Sequence, residues 1–151
     1  MGRKMSPQEV TDFLLTGTRT AKLAFVARDG APRVTPVWFV LDDTAPAGPA
    51  GVPDLLFNTG VETAKGRALR RDPRVAIVVD DETPPFSVVR LHGTATLIED
   101  LDEVGSWASR IGGRYMGAER AEEFGRRNGV PGEYLVRVRV DRAFTEAGVA
   151  D

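Results

Sequence analysis

The stretch that decides the fold is TAKLAFVARDGAPRVTPVWFVLD, residues 20–42. Side chains of residues 21–27 alternate between two faces with the period of two that is typical of a β-strand. Asp29-Gly30 favours a tight turn into an antiparallel return strand over residues 33–42. Because Pro36 cannot donate a hydrogen bond to a neighbouring strand, we expect the return strand to lie at a sheet edge or to carry a bulge.

Four more segments have the composition or the alternation of strands. They are residues 54–58, 74–80, 86–98 and 134–140. Gly93 stands in the middle of one of them, where it predicts a bulge or a close approach of another backbone. Six strands, most of them antiparallel to their sequence neighbours, predict a mostly β fold, a small β-barrel rather than a doubly wound parallel sheet.

The chain is short enough for one domain, and we expect residues 1–151 to fold as a single unit. About 42% of the residues are apolar, which suffices for a full core at this length. A helix is predicted over residues 6–16. Its first turn has the features of a helix start, since Ser6 and Glu9 form a capping box and Pro7 suits the first helical position.

Three further helices are predicted around the strands. Thr59 and Glu62 have the spacing of a second capping box, which predicts a helix of about ten residues. Residues 101–111 and a segment that begins near residue 118 show helical periodicity. We expect Gly112-Gly113 to break the chain between these last two helices, because glycine weakens helices.

Composition excludes several classes of function. With 20 basic and 22 acidic residues, the net charge of −2 lacks the positive field of a nonspecific nucleic-acid binder. The absence of cysteine excludes disulfides and metal–thiolate sites, and the single histidine, His92, excludes a multi-histidine metal site, so no metal is expected. The sequence has neither a membrane-length apolar run nor a secretory signal, so we expect a cytoplasmic protein with no membrane partner.

A cluster of basic residues provides the clearest indication of a binding site. It comprises Lys65, Arg67, Arg70, Arg71 and Arg74. The free N–H groups of the predicted helix start, the hydroxyls of Thr59 and Thr63 and the ammonium of Lys65 together predict an anion pocket suited to a phosphate. The alternative is a solvated basic helix face, because runs of surface charge are common.

Other candidate residues have both a functional and a structural interpretation. Trp38 and Phe39 point to opposite faces of their strand, so that one can fill the barrel while the other walls a cleft. Both of them can equally lie in the core or in a dimer interface. His92 can donate a proton or serve only as a structural hydrogen-bonding residue. Arg114 and Tyr115 can reach a ligand or only cap a helix.

Several stretches, in order along the chain, resemble the pyridoxamine 5′-phosphate oxidase-like, FMN-binding split-barrel superfamily. They are residues 20–42, LLFNTGVETAKGRALRRDPRVAIVVDD at 55–81 and VVRLHGTATL at 88–97. Within them, TAKGR at 63–67 is similar to the SRKGR stretch of the flavin oxidases. RYMGAERAEEFGRRNGVPGE at 114–133 resembles the actinobacterial branch that uses the deazaflavin coenzyme F420. The resemblance implies a homodimeric, six-stranded antiparallel split β-barrel of Greek-key type with peripheral helices.

The resemblance also implies cofactor sites between two subunits. The strand that would run along the isoalloxazine or deazaflavin ring contributes Thr35, Pro36, Val37 and Trp38. The strand end and helix start that would hold the phosphate contribute Asn58, Thr59, Thr63 and Lys65, with Arg67 close by. The residues that would complete the partner's pocket are Arg114, Tyr115 and Met116.

The chain departs from the flavin oxidases at several positions. Ala64 stands where they have an arginine to the phosphate, and Val88 stands about where they have a glutamine to the ring. Their substrate-binding arginine and histidine have no clear counterpart after Val140. These differences disfavour pyridoxamine phosphate oxidation and fit the wider site of the F420 branch.

The resemblance therefore implies an F420H2-dependent reductase that transfers a hydride from the deazaflavin to an unsaturated organic acceptor. No catalytic side chain is assigned, and the proton can come from water, Tyr115 or His92. One alternative is an FMN-binding oxidoreductase on the same fold. Another is a non-catalytic protein that binds F420 or a tetrapyrrole.

Overall fold

The computed structural model describes residues 2–151. They form seven strands and four α-helices, joined by turns and loops. The strands are β1 (Ala21–Val26), β2 (Pro32–Val37), β3 (Val40–Asp42), β4 (Asp54–Gly60), β5 (Arg74–Asp81), β6 (Ser87–Ile98) and β7 (Glu133–Glu146). The helices are α1 (Pro7–Leu15), α2 (Ala64–Arg71), α3 (Leu101–Met116) and α4 (Ala121–Asn128), with a 3₁₀ turn at Ala118–Arg120. Within these described residues, no helix has the length and apolar character needed to span a bilayer.

All the strands belong to one antiparallel sheet in the order β2-β1-β5-β6-β7-β4-β3. The two edge strands, β2 and β3, are separated in the chain only by Trp38 and Phe39. Because so few residues span at most about 11 Å, the two edges must lie side by side. The sheet therefore closes into a barrel that is split between β2 and β3, which confirms the predicted mostly β split-barrel class. It also confirms the edge position expected for Pro36.

The number of strands differs from the prediction at one place. Residues 33–42 were expected to form one strand, whereas β2 ends at Val37 and β3 begins at Val40. The chain leaves one edge of the sheet and joins the other at this point. A single apolar run therefore supplies two strands. The first pairs with β1 and the second with β4, and the sequence pattern does not show where this change of partner occurs.

Strand β7 is also longer than the predicted residues 134–140, because a bulge allows pairing to continue. Gly93 of β6 faces Val140, whereas His92 faces Arg142, so Asp141 is the extra residue on β7. A Cβ atom at Gly93 would overlap the carbonyl oxygen of Arg139. The bulge and the close backbone approach predicted at this glycine are both confirmed.

Two helix starts show how local hydrogen bonding decides the boundaries. The Ser6 and Glu9 capping box and its neighbouring proline are confirmed at the start of α1. The second predicted capping box is wrong, because Thr59 lies within β4 and pairs with Tyr134. The N-cap of α2 is Thr63, four residues later.

The predicted break at Gly112-Gly113 is also wrong, since α3 runs through both glycines. Helix α4 packs directly on this part of α3, and a Cβ atom at Gly112 would overlap the Cβ and ring atoms of Phe124. The glycine therefore lets two helices approach closely rather than ending one of them. Only Ala121 Cβ, at 3.3 Å, would be near a Cβ atom at Gly113.

Gly112→Ala is expected to lower the free energy of unfolding by about 2 kcal/mol, because the added methyl group overpacks the α3–α4 contact. Gly113→Ala is the matched control on the same helix. Its gain in helix propensity, up to about 1 kcal/mol, offsets mild crowding against Ala121. Urea unfolding of both variants checks this. Equal stability of the two variants would contradict the packing role of Gly112.

Candidate functional site

The end of β4 and the start of α2 form a tightly bonded strand–helix junction, residues 58–67. The Thr63 hydroxyl accepts a hydrogen bond from the Gly66 N–H at 3.1 Å and donates one to the Gly60 carbonyl at 2.8 Å. The hydroxyl oxygens of Thr59 and Thr63 lie 2.8 Å apart. Both predicted phosphate-binding hydroxyls are thus brought together, and their mutual bonds hold the helix against the strand end.

The first turn of α2 leaves backbone donors open. Thr63 satisfies the N–H of Gly66, but the first N–H groups of a helix, here those of Ala64 and Lys65, have no intrahelical acceptor. The first turn contains no acidic residue, and the Lys65 side chain is half-buried. Among residues 2–151, no carboxylate forms an ion pair with Lys65, whereas Arg67 pairs with Glu62 at 3.2 Å. These donors fit an anion, as expected for a phosphate.

Asn58, near the end of β4, carries an unusual acceptor. Its Nδ2 donates to the Tyr134 carbonyl at 3.4 Å. Its Oδ1 is the single buried side-chain polar atom of the described chain that has no hydrogen-bond partner. Such an atom is costly unless a donor reaches it. As an acceptor, this oxygen suits a hydroxyl or N–H better than a phosphate oxygen, and the phosphate role expected for Asn58 stays a prediction.

Glu133 also belongs to the junction, although the sequence analysis did not single it out. Glu133 on β7 pairs with Gly60 on β4. A Cβ atom built on Gly60 would lie 3.8 Å from Glu133 Oε1, so the carboxylate is close to the junction. Burial raises the pKa of this carboxyl, while the positive charges of Lys65 and Arg127 partly oppose that shift. Its position just before an alternating strand offered no sequence signal for a site.

The second group of predicted residues surrounds the split of the barrel, which we call the seam and define as Trp38 and Phe39. Phe39 is fully buried. Its N–H donates to the Tyr115 hydroxyl at 3.2 Å, and its carbonyl accepts from Arg114 Nη1 at 2.7 Å. Side chains of α3 thus satisfy backbone groups at the point where the chain changes edges.

Arg114 and Tyr115 extend these bonds to the chain before β1. Arg114 donates to the carbonyls of Leu14 at 2.7 Å and Gly17 at 3.2 Å, and Tyr115 donates to the Arg19 carbonyl at 2.7 Å. Burial lowers the pKa of Arg114 and raises that of Tyr115 from their usual values. Both residues therefore act within their own chain, and a role in a partner's pocket stays a prediction. Met116, next along, is exposed.

The predicted ring-binding residues occupy the edge strand that leads to the seam. Thr35 is half-buried, Pro36 is exposed, Val37 is buried, and Trp38 retains 39% of its exposure. Because β2 pairs only with β1 in the sheet order, half of its backbone groups face away from any strand. Such an edge offers hydrogen bonds to the rim of a planar ring, as the sequence analysis expects.

His92 lies elsewhere, on the outer face of the sheet. It is exposed and pairs with Arg142 across β6 and β7. Its ring meets that of Phe144 edge to face, with centroids 5.2 Å apart. The structure thus does not bring His92 to the seam, whereas the Tyr115 hydroxyl lies there.

An open cavity of about 700 Å³ lies beside this outer face, and sequence reasoning missed it. Its walls include Met5, Val10, Arg90 and Phe144, and none of the predicted cofactor residues. The predicted cofactor residues lie at the junction and the seam instead. The orphan acceptor of Asn58 and the open amides of α2 are specific features, whereas an open concavity alone is not.

The sequence profile described as Pyridoxamine 5′-phosphate oxidase matches residues 6–146. The chain belongs to the pyridoxamine 5′-phosphate oxidase family. The match spans the strand–helix junction and the seam together, so both groups of residues lie within the family domain. No curated protein matches the sequence.

Solved structures share the fold across the length of the chain. The conserved hypothetical protein Rv2991 of Mycobacterium tuberculosis is 25% identical with a TM-score of 0.79, covering 98% of this chain and 90% of that one. An F420 reductase is 23% identical with a TM-score of 0.63, covering 87% and 93%. The heme storage protein HutZ of Vibrio cholerae is 17% identical with a TM-score of 0.70, covering 98% and 100%. The last two likenesses show the fold alone.

Arg114→Met is expected to destabilise this family member by about 3 kcal/mol, because carbonyls that accept from a guanidinium would lose their donor. Arg110→Met is the control, since Arg110 lies on the same helix, is exposed, and contacts the Trp107 ring. Its effect should stay within about 0.5 kcal/mol. Thermal and urea unfolding measure both. A small loss for Arg114→Met would show that water replaces its bonds at the seam.

Proposed function

We propose that this protein is a homodimeric F420H2-dependent oxidoreductase that reduces an unsaturated organic acceptor. The observation that carries the proposal is the strand–helix junction, where α2 begins with open amides and Asn58, near the end of β4, has an Oδ1 without a hydrogen-bond partner. Membership of an oxidoreductase family and the shared fold of an F420 reductase support it. The resemblance of residues 114–133 to the F420 branch favours the deazaflavin over FMN.

Each part of the site would do a different task. The N–H groups of Ala64 and Lys65 and the Lys65 ammonium would hold the coenzyme's phosphate. Asn58 Oδ1 would accept a hydrogen bond from a hydroxyl or N–H of the same molecule. The free edge of β2 would bind the rim of the ring, with Trp38 beside it. When bound, the reduced coenzyme supplies the hydride, and a proton completes reduction of the acceptor.

A second candidate is an FMN-binding oxidoreductase, which the family match favours. Phosphate is common to both ligands, so the helix start does not separate them. Ala64 and Val88 favour F420 over FMN, because the flavin oxidases that the chain resembles have larger polar residues at these two positions. A non-catalytic carrier of F420 or a tetrapyrrole is the third possibility, in line with the fold of HutZ.

The deciding experiment is a side-by-side titration of the purified protein with F420 and FMN, monitored by intrinsic fluorescence. We expect tight F420 binding, weak FMN binding and quenching of Trp38, followed by oxidation of F420H2 in an acceptor screen. Tight FMN binding would assign the flavin function. Tight F420 binding without turnover of any acceptor would assign the carrier, and binding of neither would contradict the proposal.

Lys65→Ala is expected to weaken binding of the phosphorylated coenzyme by about 2 kcal/mol, the loss of a charged hydrogen bond. Arg71→Ala is the matched control, because Arg71 is an exposed cation at the opposite end of the same helix. Its effect should be small and removed by salt. Calorimetric titration distinguishes the two variants. Equal losses would indicate a diffuse basic surface instead of a phosphate site.

The homodimer is part of the proposal, and the outer face of the sheet is the surface that suits it. Strand pairing aligns Val34, Ala24, Ala76 and His92 in one continuous row across four strands. Val34 is 69% exposed, although it is apolar.

Charges on the same face also suit a pair of identical subunits. The Lys22 ammonium and the Asp80 carboxylate lie 3.1 Å apart, so the face carries both signs of charge. A two-fold interface joins a surface to itself, and apolar rows with both charges are self-complementary. We therefore assign this face to a second copy of the chain.

Val34→Glu should shift the protein from dimer to monomer, because it places a carboxylate at the most exposed apolar position of the assigned interface. Leu15→Glu is the control, since Leu15 is a 46% exposed apolar residue on α1. Analytical ultracentrifugation across a concentration series measures the equilibrium. A wild-type monomer, or a dimer that survives Val34→Glu, would refute the assignment.

A further inference from the structure

Trp38 is stacked on another aromatic ring and is partly exposed. Its indole is parallel to the Tyr115 ring, with an interplanar angle of 4° and centroids 5.0 Å apart. The Phe124 ring lies at an interplanar angle of 60° to the indole, with centroids 5.9 Å apart. Trp38 nevertheless keeps 39% of its surface exposed.

Tyr115 is fixed more firmly than an ordinary half-buried tyrosine. Its hydroxyl accepts from the Phe39 N–H and donates to the Arg19 carbonyl, so the phenol is bound at its far end by two backbone groups. Its neighbour Arg114 anchors the end of α3 to further carbonyls. The ring beneath Trp38 therefore has little freedom to move.

We infer that Tyr115 is a positioning residue that holds Trp38 in one orientation, so that the exposed part of the indole forms a preformed stacking surface for the coenzyme's planar ring. This inference rests on the proposed function. Offset-parallel stacking is a favoured geometry for aromatic pairs, and the Trp38–Tyr115 pair already adopts a parallel arrangement. A surface fixed before binding avoids the entropy cost of ordering an exposed tryptophan.

The inference connects the helical insert to the site without placing Tyr115 against the ligand. Tyr115 acts through Trp38, and its own proton is donated to the Arg19 carbonyl. The competing explanation is that Tyr115 only stabilises the seam. The two explanations differ in one respect: a structural role affects ligand affinity equally whether or not residue 38 is aromatic.

A double-mutant cycle on F420 affinity tests this difference. Tyr115→Leu is expected to weaken F420 binding about tenfold and Tyr115→Phe about threefold, since phenylalanine keeps the stack but loses both hydroxyl bonds. In a Trp38→Ala background, each effect should shrink to within about twofold. Undiminished losses in that background would overturn the positioning role. Phe124→Leu, which leaves the Tyr115 ring and its hydroxyl bonds in place, is the control.

Ligand-free fluorescence provides a readout that does not depend on the proposed function. The sequence has two tryptophans, so Trp107→Phe leaves Trp38 as the single reporter. Time-resolved anisotropy should show a fixed indole in that background and a fast component after Tyr115→Leu. If Tyr115→Leu does not fold, Tyr115→Phe carries the test on both readouts, and a smaller fast component is expected there because the ring loses the two hydroxyl bonds that fix it. An indole that stays fixed in every folded Tyr115 variant would overturn the inference.

The two readouts separate failure of the inference from failure of the function. If the wild-type protein binds neither F420 nor FMN, the proposed function is overturned, and so is the proposal that a coenzyme ring stacks on Trp38. The anisotropy would then still decide whether Tyr115 holds Trp38. Tight F420 binding together with an unchanged double-mutant cycle would preserve the function and remove Tyr115 from it.

Discussion

The hydrogen bonds at Phe39 are the constraint on which the rest of this structure depends. A barrel that opens between two strands leaves backbone groups without a ladder partner, and buried backbone groups without partners are costly. Phe39 is buried at that point, and α3 satisfies both its N–H and its carbonyl through Tyr115 and Arg114. The split is therefore a bonded feature of the fold and not a gap in it.

The same bonds shape the surroundings of the proposed ring-binding residues. They attach α3 to the barrel beside the free edge of β2, and they align Tyr115 beneath Trp38. At the strand–helix junction, hydrogen bonds of the Thr63 hydroxyl join the start of α2 to the end of β4. Asn58 of the same strand retains an unsatisfied acceptor. Hydrogen-bonded supports thus stand behind both candidate contact surfaces.

The sequence predicted those features that depend on local periodicity and turn chemistry. The alternation around β1, the Asp29-Gly30 turn and the bulge at Gly93 are all read from neighbouring residues. Thr59 and Thr63 have similar local capping potential, and only pairing with β7 places Thr59 inside a strand. The burial of Asn58 Oδ1 likewise depends on residues that are distant in sequence, so no local pattern indicates an unsatisfied atom.

The pairing of β4 with β7 bears on how the chain reaches its fold during synthesis. Leu56 pairs with Arg137, roughly eighty residues later, so one side of β4 has no partner until β7 emerges from the ribosome. At typical translation rates this interval lasts about 4–16 s. Over that time the apolar residues Leu55 and Phe57 lie on a strand edge that has no hydrogen-bonding partner. The nascent chain is therefore most exposed to aggregation, and to chaperone capture, between these two strands.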